Sequence, residues 1–361
     1  MSDRKAPQQR RGSASLRSAS HADAYSRAGV SQRAADSAVE ALVRSLKLIE
    51  TGKPSRVVAL PNHYASVLRI DDRTGVAFGT DGVGTKMLIA ERMGDFTTIG
   101  IDCIAMNVND LICVGAEPIA MLDFILCGEA DPEVCGAIGV GLRTGAERAG
   151  IEIPGGEIAQ VGEIVSGVEL TGSAIGLVAL ESIVDGAAVE PGDAIIGLPS
   201  SGLHSNGYTL ARRALRDVPL TDDRLGRPLG EILLSPTEIY VPAILELLGS
   251  GLGARGLAHI TGDGLNNLTR LAAPVGYEIS DPFEVPPVFE LIAELGEIPE
   301  AEMYEVFNMG CGFVCVIATA DEEAALRLLR RHYPGAKRIG TVTDRAAVVE
   351  RAEAAAENAR R

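Results

Sequence analysis

Gly79-Thr80-Asp81-Gly82-Val83-Gly84-Thr85-Lys86 is the stretch on which the fold turns. Val76-Ala77-Phe78 before it reads as strand and Met87-Leu88-Ile89-Ala90-Glu91 after it as helix, so it joins the two element types from which α/β proteins are built. Three glycines, Gly79, Gly82 and Gly84, free the backbone to wrap an anion, and Lys86 stands ready to meet a phosphate. The phosphate-loop pattern G-x-x-x-x-G-K-[ST] is nearly matched, but Thr85 and Lys86 stand in reversed order. A bare phosphate cradle excludes a carboxylate, so Asp81 points to a bridging divalent cation. Taken alone, the loop is equally well read as an ordinary strand-to-helix turn.

Outward from this loop, short apolar runs alternate with amphipathic helices from about residue 57, the pattern of a mixed α/β architecture. Upstream, Ala35, Val39, Leu42, Val43, Leu46 and Leu48 recur at helical spacing over 31–49, until Thr51-Gly52-Lys53-Pro54 stops the helix. A strand at 171–180 closes a first unit. The turn Glu190-Pro191-Gly192-Asp193 opens a second, whose first strand is Ala194-Ile195-Ile196-Gly197-Leu198. The boundary falls between 181 and 191, giving an N-terminal domain over 21–181 and a C-terminal domain over 190–345. Within the second, helices are expected at 207–215, near 238–248 and at 321–332, a Gly-rich turn at 261–264, and strands at 313–319 and near 338–343. Residues 1–20 read as a disordered Ser- and Arg-rich tail, and the Ala-, Glu- and Arg-rich residues 346–361 as a C-terminal helix or tail.

Composition narrows the function. With 361 residues, 46% hydrophobic, the chain can bury two cores. Aromatics make up 4% and Trp is absent, so stacking platforms for single-stranded nucleic acid are not expected. A net charge of −16 argues against nucleic acid or any other large polyanion as partner; an anionic ligand must be held by local lysines, amides and metal. Cys103, Cys113, Cys127, Cys135, Cys311 and Cys315 form no C-x-x-C pair and read as reduced core residues. No apolar run is long enough for a membrane span, and no hydrophobic secretory segment opens the chain; a cytoplasmic protein without a membrane partner is expected.

Four further segments carry candidate chemistry. In Asp102-Cys103-Ile104-Ala105-Met106-Asn107-Val108-Asn109-Asp110-Leu111-Ile112, positions 102, 106, 109 and 110 share one helical face. Its carboxylates, Asp102 and Asp110, are hard ligands suited to the Mg²⁺ site that Asp81 begins; the alternative is a solvated polar face. Ile153-Pro154-Gly155-Gly156-Glu157 reads as a turn allowing close approach of a ligand, with Glu157 as another metal oxygen or as plain turn chemistry. Ser200-Ser201-Gly202-Leu203-His204-Ser205-Asn206-Gly207-Tyr208 follows a buried strand and precedes a helix, a nest for an oxyanion or sugar phosphate in which His204 serves as acid, base or hydrogen-bond donor; an N-cap cluster is the other reading. His259-Ile260-Thr261-Gly262-Asp263-Gly264-Leu265-Asn266-Asn267 repeats the theme of strand, glycine-flanked acid and helix start. Gly251-Leu252-Gly253-Ala254-Arg255-Gly256 matches G-x-G-x-x-G but follows a helix, so it is read as a loop and not a dinucleotide site.

In this order the segments resemble the phosphoribosylformylglycinamidine cyclo-ligase (aminoimidazole ribonucleotide synthetase) family, over about residues 25–345. The marks are Tyr25-Ser26-Arg27-Ala28-Gly29-Val30, Thr80–Lys86, Gly100-Ile101-Asp102, Asn107-Val108-Asn109-Asp110-Leu111, Gly115-Ala116-Glu117-Pro118, Gly155-Gly156-Glu157, Ser200–Gly207, His259-Ile260-Thr261-Gly262 and Phe307-Asn308-Met309-Gly310. The resemblance implies a two-domain α/β (α+β) protein, with an N-terminal mixed-sheet domain that pairs into a shared barrel in a homodimer and a C-terminal α/β domain. It implies ATP- and Mg²⁺-dependent ring closure of formylglycinamidine ribonucleotide, with Lys86 and His204 catalytic. ATP would be bound by Gly82, Gly84, Thr85, Lys86, Asn109, Gly155 and Gly156, and the ribonucleotide by Ser201, Gly202, His204, Ser205 and Asn206. Metal would be held by Asp81, Asp102, Asp110, Glu157 and Asp263.

Departures from the family pattern lie at Ser26-Arg27, at Ser31, along Ile158-Ala159-Gln160-Val161-Gly162, and at Gly262-Asp263-Gly264, where the family has three glycines. The last change is similar to a motif of thiamine-monophosphate kinases, which makes such a phosphotransferase the enzymatic alternative. A non-catalytic nucleotide-binding homologue is the other.

Overall fold

The computed structural model describes residues 32–346 and 349–351. The expected tail over 1–20, the Tyr25–Val30 motif and most of the expected C-terminal helix lie outside the described residues. Residues 349–351, where a helix or tail was expected, form a strand.

Two six-stranded sheets account for the architecture. After helix α1 (Gln32–Leu46), the first is built from β1 (Val57–Val58), β2 (Ser66–Arg69), β3 (Thr74–Gly82), β4 (Glu117–Cys127), β5 (Glu152–Gln160) and β6 (Val168–Ala179), in the order β1-β2-β3-β6-β4-β5. Every neighbouring pair is antiparallel except β4 and β5, which run parallel across helix α4 (Pro132–Ala149). Helices α2 (Met87–Met93) and α3 (Ile99–Cys113) lie between β3 and β4. The α3 and α4 backbones cross closely at Gly100, where a Cβ would stand 2.0 Å from Leu142 N, so no larger residue fits there.

The second sheet follows the order β12-β9-β11-β7-β10-β8. Its strands are β7 (Ala194–Pro199), β8 (Ala254–His259), β9 (Gly276–Ile279), β10 (Cys311–Ile317), β11 (Lys337–Thr343) and β12 (Val349–Arg351). Its helices are α5 (Tyr208–Ala214), α6 (Leu229–Leu233), α7 (Val241–Gly249), α8 (Pro287–Gly296), α9 (Glu300–Val306) and α10 (Glu322–His332). Every residue of β10 is buried, which is why Cys311-Gly-Phe-Val-Cys-Val-Ile317 is one continuous apolar run rather than an alternating one. The first sheet alternates instead. Ala77, Met121, Ile125, Leu170 and Ala174 face the helices, while Phe78, Leu122, Phe124 and Leu177 stay 38–52% exposed on an uncovered face.

Three expectations about backbone are corrected. Gly79–Gly82 is not loop but the end of β3, paired with Thr171–Ala174 of β6, so only Val83–Lys86 turns. Gly155-Gly156-Glu157 is not a turn but the middle of edge strand β5, paired with Leu122-Asp123-Phe124. Ala254-Arg255-Gly256, read as loop, begins β8.

Candidate active site

Helix α3 positions most of the polar side chains at issue. It is buried along its whole length apart from Asp110, because it packs on β3 and β6 with one face and meets α7 and β8 of the second domain with another. The polar stripe predicted on it is therefore no solvated face: a second domain covers it, and Asp102, Asn109 and Asp110 each meet a donor or acceptor from that domain, as burial requires.

Lys86 and Asp102 form an ion pair with both side chains fully enclosed. The ammonium lies 2.9 Å and 2.8 Å from the two Asp102 oxygens and also donates to the carbonyls of His204 (3.1 Å) and Ser235 (2.7 Å). Asp102 Oδ1 accepts from Thr237 N, Thr237 Oγ1 and Ser205 Oγ at 2.8, 2.7 and 3.2 Å. Burial pulls the Lys86 pKa down and the carboxylate holds it up. In this arrangement Lys86 does not reach out as a phosphate clamp, and Asp102 is not open to a metal. Both are spent on tying two C-terminal-domain segments, 204–205 and 235–237, to the first domain.

Asn109, expected at ATP, is similarly occupied: its amide donates to Glu238 O (2.8 Å) and accepts from Tyr240 N (3.0 Å). His204 sits at φ +62° with its ring buried, and Ser201 N donates to its Nε2 (3.3 Å). Burial and the neighbouring His259 and Lys86 push its pKa well below the ordinary histidine value, so the ring is neutral. Ser201 Oγ donates to Pro236 O (2.6 Å), and Gly202 O accepts from Asn308 Nδ2 (2.8 Å). Asn206, half-buried, makes only a weak contact to Met106 sulfur at 3.8 Å.

What remains open lies at the end of β3. Asp81 is held above the usual carboxylate range by burial and by the nearby Asp110, while Gly82 N and His259 pull it back. Its Oδ1 accepts from Gly82 N (2.7 Å). Asp110 pairs with His259 Nδ1 at 2.9 Å across the domain seam. Gly84, at φ +68° with nothing within 4 Å of a built Cβ, donates its N–H to Glu169 Oε1 (2.9 Å). Burial and Asp81 raise the Glu169 pKa too. Thr85 Oγ1 lies 3.2 Å from Thr209 Oγ1 of α5. Asp81, Gly172, Asp123 and Gly156 make one row across the sheet, and burial raises Asp123 as well. Three partly desolvated carboxylates whose protons are held too tightly mark a place short of positive charge, which fits a cation arriving with an anionic ligand.

Two expected ligands are not brought there. Glu157 follows Gly156 on β5, three strand spacings (about 14 Å) from Asp81 and on the opposite face of the sheet. Gly155 and Gly156 likewise stand on β5, three strands from Gly82 on β3. Asp263 is exposed, at φ +81°, with no capping bond from its side chain. Among the described residues, no three His, Cys, Asp or Glu side chains are arranged to hold a metal unaided. Glu169 and Asp123 were missed; the available signal was an acid inside an apolar strand, as in Met121-Leu122-Asp123-Phe124-Ile125.

Comparison with known proteins agrees with this architecture. Residues 62–178 match the family described as AIR synthase related protein, N-terminal domain, and residues 190–352 its C-terminal domain. A phosphoribosylformylglycinamidine cyclo-ligase of Methanothermobacter thermautotrophicus is 44% identical over 332 residues, 90% of this chain and 96% of that protein. The protein of that name from Thermococcus kodakarensis is 46% identical over 318 residues, 86% of this chain and 92% of its own. Among solved structures, the HypE-HypF complex aligns with TM-score 0.59 at 22% identity, covering 80% of this chain and 89% of that one. AaThiL complexed with AMPPCP and TMP aligns with TM-score 0.58 at 14% identity, covering 86% and 91%, and shares the fold. With both domains matched in order and relatives this similar over nearly the whole length, the chain belongs to the phosphoribosylformylglycinamidine cyclo-ligase family.

Proposed function

We propose that the protein closes the imidazole ring of formylglycinamidine ribonucleotide at the expense of ATP, giving 5-aminoimidazole ribonucleotide, ADP and phosphate, a step of purine biosynthesis. The observation that carries this reading is identity of 44–46% to cyclo-ligases over 86–90% of the chain. In chemical terms the formyl oxygen takes the terminal phosphoryl group of ATP, ADP departs, and the amidine nitrogen attacks the activated carbon. Phosphate then leaves with the formyl oxygen, and a proton is lost from nitrogen. Such a transfer asks for positioning and charge neutralisation more than for covalent chemistry.

The residues are suited to that division of work. Gly82, Gly84 and Thr85 would turn their backbone toward the nucleotide phosphates, with Glu169 releasing the Gly84 amide. Asp81, with Asp110 and Glu169 near it, would hold Mg²⁺, which neutralises phosphate charge when bound. Ser205 and Asn206 would border the ribonucleotide. Lys86, Asp102 and Asn109 serve the site by fixing the two domains, and His204 shapes the loop beside them.

The uncovered face of the first sheet supports a homodimer, since Phe78, Leu122, Phe124 and Leu177 expose apolar area that a second copy would bury. No helix among the described residues is long and apolar enough to cross a membrane, in keeping with a cytoplasmic enzyme. The deciding assay is ADP release with formylglycinamidine ribonucleotide, with thiamine monophosphate as competitor. Turnover of the second and not the first would replace this reading by that of a kinase.

A further inference from the structure

Beside the Asp110–His259 pair, the domain seam carries side chains to which the reading above gives no task. His63 and Tyr64 stand just before β2, and Arg270 ends the 3₁₀ turn Gly264–Arg270 of the other domain. The Arg270 guanidinium lies over the Tyr64 ring, 4.9 Å from its centroid. Tyr64 is itself fixed, its hydroxyl donating to Asn267 O at 3.4 Å. His63 meets the same ring edge-on, with centroids 5.7 Å apart.

Neither side chain has a hydrogen-bond partner among the described residues. Both ring nitrogens of His63 are shut off from solvent and have no hydrogen-bond partner. Arg270, half-buried, has only its aromatic contact and no ion pair or hydrogen bond among the described residues. Burial lowers the His63 pKa to about 4; Asp185 and Asp110 act to raise it and Arg270 to lower it, which sets all three within electrostatic reach of the ring. The two acids have donors of their own: Asp110 has His259 Nδ1, and Asp185 accepts from Ala187 N at 2.8 Å. A guanidinium parked on an aromatic shelf without a carboxylate, in a chain of net charge −16, is a planar fork waiting for an anion. A neutral imidazole beside it can donate one hydrogen bond to the same anion.

We propose that Arg270 and His63 form the subsite for a phosphate monoester on a sugar, namely the 5′-phosphate of the ribonucleotide substrate. The assignment rests on the cyclo-ligase reading and deepens it, because the Ser201, Gly202 and His204 groups expected to meet the ribonucleotide are already bonded within the protein. It places the phosphate end of the substrate on the Asp110 side of the seam, with one donor from each domain.

The test is calorimetric titration of the full chain with ribose 5-phosphate and, separately, with a non-hydrolysable ATP analogue. Wild type, Arg270→Met, Arg270→Lys and His63→Ala are compared, with melting curves for each and cyclisation kinetics in parallel. Loss of a charge-assisted contact predicts ribose 5-phosphate binding weaker by about 10- to 100-fold in Arg270→Met, with analogue affinity within about twofold of wild type. The KM for formylglycinamidine ribonucleotide should rise by a similar factor. Arg270→Lys, which keeps the charge and loses the fork, serves if Arg270→Met does not fold, and should lose about tenfold. Absence of ribose 5-phosphate binding by wild type, or unchanged binding by a folded Arg270 variant, overturns the proposal. So does weakening of the ATP analogue in its place, which would give the subsite to the nucleotide. Failure of the wild type to cyclise the substrate would remove the cyclo-ligase reading instead, leaving the ribose 5-phosphate titration to decide the subsite.

Discussion

Replacing Lys86 by Met keeps the volume of the side chain and removes its charge. Asp102 would retain three donors, from Thr237 N, Thr237 Oγ1 and Ser205 Oγ, but would be a fully enclosed anion with no counter-ion. The carbonyls of His204 and Ser235 would each lose a charged donor. Breaking a buried pair from one side costs about 3–5 kcal/mol, and two carbonyls left dry keep the estimate in the upper half of that range. Asp102→Asn, which strands the ammonium instead, should cost about as much. The double variant Lys86→Met/Asp102→Asn holds no charge and keeps an acceptor for Thr237, so it should be more stable than either single variant. Urea unfolding of all four proteins gives the coupling, expected at about 2 kcal/mol or more in favour of the pair. A coupling below about 0.5 kcal/mol would refute the view of this pair as the tie between domains. ATP affinity of the double variant tests the same point independently: a tenfold loss in a protein of restored stability would return Lys86 to the phosphates.

Other outcomes follow from the same geometry. Asp81→Asn should slow turnover by about 10²-fold or more and raise the Mg²⁺ needed for half-maximal rate; unchanged turnover at low Mg²⁺ would contradict its role. Asp263→Gly should leave the Mg²⁺ titration unchanged and stabilise the fold by about 1 kcal/mol, because Asp263 sits at φ +81° without a capping bond; a lower melting temperature would refute this. For His63, burial depresses the folded-state pKa to about 4. The unfolded chain therefore binds a proton below about pH 6.5 that the folded protein refuses. Stability attributable to this residue falls as pH drops from about 6.5 to about 4, by as much as about 3 kcal/mol, and His63→Leu should flatten that part of the curve. Leu122→Asp on the open sheet face should halve the mass found by light scattering; an unchanged mass would move the dimer contact elsewhere.

How much was legible in the sequence depends on what each residue answers to. Ala194–Leu198 and Phe313–Ile317 read correctly as strands because burial on both faces leaves a run of apolar residues and nothing else. Gly79 and Gly82 were taken for loop because glycines free the backbone to wrap an anion. At Gly82 the reason is tertiary, since a Cβ there would stand 3.0 Å from both Glu169 and Thr171. Pro154-Gly155-Gly156 has poor strand propensity, and only pairing with β4 extends it. The face shared by Asp102, Asn109 and Asp110 was found from helical spacing. Periodicity cannot tell that a second domain would cover two of the three and leave Asp110 for the cleft. Arg270 and His63 lie more than 200 residues apart, and no local pattern joins them.

Helix α3 has no outer side. Its residues belong to one apolar cluster that runs from Val67 and Leu170 of the first domain to Ile196 and Phe313 of the second. Two lobes that share a core cannot swing apart about a hinge without opening that core to water. For the same reason a chain cut between residues 181 and 190 would leave α3 stripped along one flank. The two halves are one cooperative body, to be expressed, unfolded and labelled as such.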